Sequence, residues 1–191
     1  MPKSKERCEE IRKETRANIL KESAKYFARV GFSGTKIGDL SKSIGIAQGT
    51  IYLYFESKEE LYSEILKLVE KTWESDKLEA FAKMPLPADK KIPLLSDYLI
   101  KKIKKDEMYA AGIALVTQKL MDGSIDAPFY DVTDKIVRQG QKEGTIVSGT
   151  VRKLTEFYWG VVYLYSLKRL FTEDCKMISG QDLSRVLLKD V

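Results

Sequence analysis

Apolar residues recur at three- and four-residue intervals along nearly the whole chain, so the pattern predicts helices. Over residues 9–29, Ala17, Leu20, Ala24, Phe27 and Ala28 share one stripe, and Gly31 ends the helix. After the FSGT loop, Thr35 is placed to cap a short helix that buries Ile37 and Leu40 and runs to Ser43. Ile44-Gly45-Ile46 reads as a tight turn, and a second short helix covers residues 47–53. Ser57, with Glu60 three residues later and Leu61 behind it, forms a capping box. It opens a long helix toward Phe81, striped by Leu61, Ile65, Leu68, Val69 and Thr72, until MPLPADK breaks the pattern. Further helices are predicted over 90–104, 106–121, 127–143, 149–172 and 180–190, with Asp122-Gly123 closing the second of these.

The predicted fold is therefore all-α, with about nine helices. A three-helix helix-turn-helix unit spans residues 1–56 and a helical bundle spans 57–191. The helix opened by Ser57 belongs to both halves.

Charge adds a little. The chain carries 33 basic and 28 acidic residues, net +5, an excess compatible with a phosphate partner that does not require one. Residues 1–60 hold 12 basic and 9 acidic side chains, so the positive density is higher at the N-terminal end. There is no histidine, and Cys8 and Cys175 lie far apart, which gives no metal spacing, no disulfide framework and no cofactor site. The charged N-terminus has no apolar run behind it, as a signal peptide would require. The uncharged stretch Phe157 to Leu167 is shorter than the roughly 18 residues of a membrane span. A reduced, cytoplasmic protein is expected.

The chemistry concentrates in GIAQGTIYLYFESKEEL, residues 45–61. A helix fits the major groove of DNA, and its first residues reach base edges. Gln48 can pair bidentately with adenine. Gly49 lets backbone come close, and Thr50 offers a hydroxyl and a methyl. Ile51 and Phe55, four apart, point back into the core. Tyr52 and Tyr54 can then donate hydroxyls to phosphates, and Lys58 lies in the first turn of the next helix, where an anion is favoured. Taken singly, Tyr52 packed on the first helix and a solvated Lys58 remain open.

These residues resemble the TetR family of bacterial transcriptional regulators. The likeness runs over Thr15-Arg16, Ile19-Leu20, Ala24, Phe27, Gly31-Phe32, Thr35, Ile37, Asp39-Leu40, Gly45-Ile46, Gly49-Thr50-Ile51-Tyr52, Tyr54-Phe55, Ser57-Lys58-Glu59 and Leu61. It covers residues 11–66 and implies a homodimer whose two heads read half-sites of a palindromic operator. It also implies a small effector, bound by the C-terminal half, that changes the spacing of the heads. By motif position, Gln48, Gly49 and Thr50 face bases, while Thr35, Lys36, Tyr52, Tyr54 and Lys58 contact the DNA backbone. Ala47 stands where members often carry serine or threonine, which removes a cap. Leu53 replaces a residue that is often aromatic and is expected to serve packing only.

Residues 154–171 are apolar around nearly the whole helix, so that helix is buried on more than one side. With the resemblance, Tyr158, Val162 and Tyr165 would face a partner, joined by Leu183, Val186 and Leu187 of the last helix. Candidate effector liners are Trp73, Met84, Tyr98, Met108, Tyr109, Met121, Phe129, Tyr130, Trp159 and Tyr163. A plain core uses the same residue types. As a pocket they favour a hydrophobic or aromatic effector. The run Lys101, Lys102, Lys104 and Lys105 reads as a solvated helix end.

A nucleophile with its base, a metal cluster and a phosphate loop are all missing from the sequence, so no enzyme is expected. A DNA-binding regulator and a helical scaffold dimer stay in view, and salt-sensitive, sequence-specific DNA binding separates them.

Overall fold

A computed structural model describes residues 5–72, 75–121, 123, 128–172 and 174–189. Among these residues the chain forms ten helices, α1 to α10, in two compact units, Met1–Lys71 and Thr72–Val191. No helix among them is long and apolar enough to cross a membrane.

In the first unit, α1 (Lys5–Val30) begins earlier than its stripe predicts. Its buried face is Ile19, Leu20, Ser23, Ala24, Phe27 and Ala28, while Ala17 is exposed. α2 (Ile37–Ile44) is capped at its N-terminus by Lys36 without a side-chain bond, so Thr35 is not the cap. The Thr35 hydroxyl instead donates to the Gly31 carbonyl at 2.7 Å and closes the loop from within. Gly45 ends α2 at φ 78°, a left-handed conformation cheap only for glycine, and its N–H bonds back to Lys42. α3 (Gln48–Tyr52) opens at Ala47 with no side-chain cap. α4 (Lys58–Thr72) accepts the serine half of the expected box, the Glu60 N–H donating to Ser57 Oγ at 3.1 Å. The Glu60 carboxylate reaches one residue farther, to the Glu56 N–H. Ile51, Phe55, Leu61 and Ile65 are all buried, so α3 and α4 close the core that α1 opens.

Of the long helix expected as far as Phe81, α4 runs to Thr72 and α5 covers Ser75–Lys83, and residues 73 and 74 between them lie outside the described residues. α6 (Ala88–Lys105), α7 (Glu107–Met121), α8 (Pro128–Glu143), α9 (Val151–Phe171) and α10 (Gly180–Ser184) complete the second unit. α9 packs on α6, α7 and α8, and α10 on α6. Polar ties inside this unit are specific. The buried Lys91 ammonium donates to the Ala82 carbonyl at 2.7 Å and to Gln139 at 2.8 Å, which satisfies a charge taken out of water. The Glu143 carboxylate accepts the Ala88 N–H at 2.7 Å and supplies the cap that Pro87 cannot. The last helix stops at Ser184, not at residue 190. The chain then turns, and an antiparallel bridge pairs Leu188 with Ile146, supported by Val147 N–H to the Leu187 carbonyl at 2.9 Å.

Candidate nucleic-acid interface

The sequence of α3 divides it sharply. Ile51 and, just past its end, Phe55 are about 1% exposed, whereas Gln48 and Gly49 are exposed and Thr50 is half-buried. Tyr52 is 48% exposed and Tyr54 half-buried. The first turn of the helix is thus presented while its second anchors the unit. A Cβ built on Gly49 would meet nothing within 4 Å, so nothing inside the chain demands glycine there. The Gln48 amide oxygen lies 3.3 Å from where a Gly38 Cβ would stand, so the second short helix is seated closely on α2.

Two of the residues expected at the DNA backbone have partners within the chain. Thr35 is buried and its hydroxyl is used by Gly31, so it presents no donor outward. Lys58 donates to the carbonyls of Phe32 at 3.1 Å and Thr35 at 3.2 Å, and lies 4.2 Å from the Phe32 ring centroid. Its ammonium is committed to the fold. Lys36 is exposed. Leu53, expected to serve packing, is 74% exposed.

Leu53 also leads to residues that the motif missed. With Tyr54 it lines a cleft of about 290 Å³ whose other walls are Glu9, Arg12, Lys13 and Arg16. These four stand at i, i+3, i+4 and i+7 on α1, a face that helical phase alone could have revealed. Arg16 pairs with Glu64 at 2.9 Å and lies 5.1 Å from the Phe55 ring centroid. The Glu64 carboxyl is held below its ordinary range by hydrogen bonds from Lys67 first and Arg16 second.

The second unit separates the remaining candidates. Phe129, Tyr130 and Trp159 are buried against one another, with centroids 4.4 to 6.0 Å apart, Tyr130 stacked on Trp159 and Phe129 edge-on to it, and the Trp159 N–H donates to Thr133 at 3.0 Å. Those rings fill their own space as core. Tyr98 is exposed and Tyr109 half-buried, and each lies under 6 Å from the Lys102 ammonium. Met108 and Tyr163 are half-buried, Met84 and Met121 are exposed, and Trp73 lies outside the described residues.

Of the expected partner-facing residues, Tyr158, Val162, Leu183 and Leu187 are fully covered within one chain, and Tyr158 bonds to Ser96 at 2.9 Å. They pack within the chain's own core. Tyr165 and Val186 keep surface. The exposed apolar line of α9 runs instead through Phe157, Leu164 and Phe171, at 62%, 49% and 64% exposure. Their seven-residue spacing was the available signal.

Residues 19–65 match the family model described as bacterial regulatory proteins, tetR family. Over 72 residues the chain is 39% identical to the HTH-type transcriptional regulator AcrR of Shigella flexneri, a match covering 38% of this chain and 34% of that relative. It thus aligns with about a third of AcrR. It is 27% identical over 153 residues to the fatty acid metabolism regulator protein of Bacillus subtilis, 75% of this chain and 77% of the relative. Among solved structures, the fold resembles the transcriptional regulator FadR from Bacillus subtilis in complex with stearoyl-CoA, with a TM-score of 0.57 at 17% identity. That likeness covers 92% of this chain and 98% of the other. Each of these relatives is named a regulator, not an enzyme.

Proposed function

This chain belongs to the TetR family of bacterial regulatory proteins through its N-terminal unit, and from that premise we propose that it is a ligand-responsive transcriptional repressor. It binds a palindromic operator as a homodimer and is released by a small hydrophobic or aromatic effector. The observation that carries this reading is the division of α3. Its first turn stands open at Gln48 and Gly49, with Thr50 half-buried, while Ile51 and Phe55 lock it to the core. Gln48 and Thr50 read base edges, and Gly49 allows the close approach. Lys36, Tyr52 and Tyr54 hold the DNA backbone, which fixes register without reading sequence.

Phe157, Leu164 and Phe171 form the face that meets a second copy, since three large apolar side chains on one exposed line seek cover. The effector site lies in the second unit. The Bacillus subtilis relative, aligned over three quarters of this chain, makes a fatty acyl derivative the first effector class to try. Such a protein acts in the cytoplasm, where the DNA is.

The test begins with selection of binding sites from random duplexes, followed by gel shifts at two salt concentrations. A selected inverted repeat, bound by two chains and released by a fatty acyl compound or another apolar ligand, supports the reading. Binding that ignores sequence removes it.

A further inference from the structure

The cleft beside α3 has chemistry that base reading does not use. Arg16 is already spent on Glu64 and the Phe55 ring. Arg12 is placed differently. Its guanidinium lies 5.9 Å from the Tyr54 ring centroid. A ring face holds a guanidinium in position without neutralising it. Lys13 follows on the same face, and both cations are exposed. Leu53 adds an apolar wall, which strengthens the local field of the charges beside it. Glu9 contributes one opposing charge.

We propose that this cleft seats one phosphate of the DNA backbone outside the base-reading contacts. Arg12 binds it through its guanidinium fork, Lys13 by charge and Tyr54 through its hydroxyl. The fork geometry suits two phosphate oxygens at once, and the phenol is a donor of the right kind. The cleft adjoins the residues that close α3, so the phosphate it takes flanks the groove that the helix enters. The proposal rests on the DNA-binding reading given above.

The experiment measures affinity for the selected duplex and for a scrambled one across a salt series, using wild type, Arg12→Gln, Arg12→Lys and Glu9→Gln in the full chain. Arg12→Gln flattens the slope of log affinity against log salt by about 0.9 for each head bound, so a one-head deficit shrinks about eightfold per tenfold rise in salt. The loss is equal on both duplexes. Arg12→Lys keeps most of the slope, and Glu9→Gln binds both duplexes more tightly. Phosphate-ethylation interference then locates the contact: one phosphate per half-site matters to wild type and not to Arg12→Gln. If Arg12→Gln is poorly folded, Glu9→Gln decides: it binds both duplexes more tightly if the cleft holds a phosphate, and unchanged affinity for both overturns the proposal. Parallel salt slopes, an unchanged ethylation pattern, or a loss confined to the selected sequence overturns the proposal while leaving the regulator intact. A wild type that binds neither duplex overturns the regulator reading and this proposal together.

Discussion

The Lys58 ammonium lies 3.1 Å from the carbonyl oxygen of Phe32 and 4.2 Å from the centroid of that residue's ring. One side chain therefore holds the backbone and the side chain of the same loop residue. The arrangement answers an electrostatic difficulty. A cation in the first turn of α4 meets the positive end of the helix dipole, which costs about 0.3–1 kcal/mol. Two carbonyls and an aromatic face offset that cost. Phe32 also leans on Tyr62 of α4 at 4.8 Å, so the loop ahead of α2 is fastened to α4 twice.

Lys58→Met keeps the aliphatic stem and removes the charge. It should cost about 1–3 kcal/mol of stability through the lost charged hydrogen bonds. DNA affinity should fall on every sequence, because Lys36 and α2 lose their anchorage. The salt slope should stay where it is, since no phosphate contact is removed. Melting curves and salt-dependent affinity check this together. A slope flattened by about 0.9 would return Lys58 to the DNA backbone.

Gly49→Ala separates folding from binding. A Cβ there meets nothing within the chain, and alanine favours a helix over glycine by about 0.5–1 kcal/mol. The variant should be as stable as wild type or slightly more so, yet bind the operator more weakly if, as proposed, a base approaches Gly49 closely. Gly45→Ala should do the reverse, losing stability at a φ of 78°. A Gly49→Ala protein with unchanged affinity removes close approach from the mechanism.

What was legible in the sequence was set by local chemistry. Gly45 marked its turn, and the four-residue step from Ile51 to Phe55 marked the buried side of α3. What escaped was set by tertiary choice. An all-apolar stretch such as residues 154–171 does not announce which side its own bundle takes, and Tyr158 and Val162 went inward while Phe157 and Leu164 stayed out. The carbonyl partners of Lys58 are hidden for a related reason: a lysine reads alike whether a phosphate or a carbonyl receives it. Thr35 turns inward because its hydroxyl finds an acceptor at Gly31, four residues back. Leu188 pairs with Ile146 across 42 positions, beyond any helical period.

Acid should weaken the tie between α1 and α4. The Glu64 carboxyl is lowered from its ordinary value of 4.5 by hydrogen bonds from Lys67 and then Arg16. A lowered value in the folded state means stability that is complete above about pH 4.5 and is lost as pH falls through the depressed value. Glu64→Gln should melt below wild type at neutral pH, and the two midpoints should converge in acid. Midpoints that keep a constant gap from pH 7 to pH 3 would show that this carboxylate adds nothing.

The exposed line on α9 makes the final prediction. Phe157, Leu164 and Phe171 stand seven residues apart, close to two full helical turns, and a second copy related by a twofold axis would present the same line in return. A stable pairing needs to bury about 1,000 Å² or more, so flanking residues such as Val161 and Tyr165 must join it. Leu164→Glu places a charge at the centre and should give monomers in sedimentation, with helical content kept. Those monomers should bind a single half-site weakly and lose the extra affinity of the full palindrome. Tyr158→Phe should act oppositely. It leaves the Ser96 hydroxyl unpaired inside the chain, which costs about 1–3 kcal/mol, and keeps the dimer. A dimer that survives Leu164→Glu would move the pairing face off α9, and with it the account of how two heads reach one palindrome.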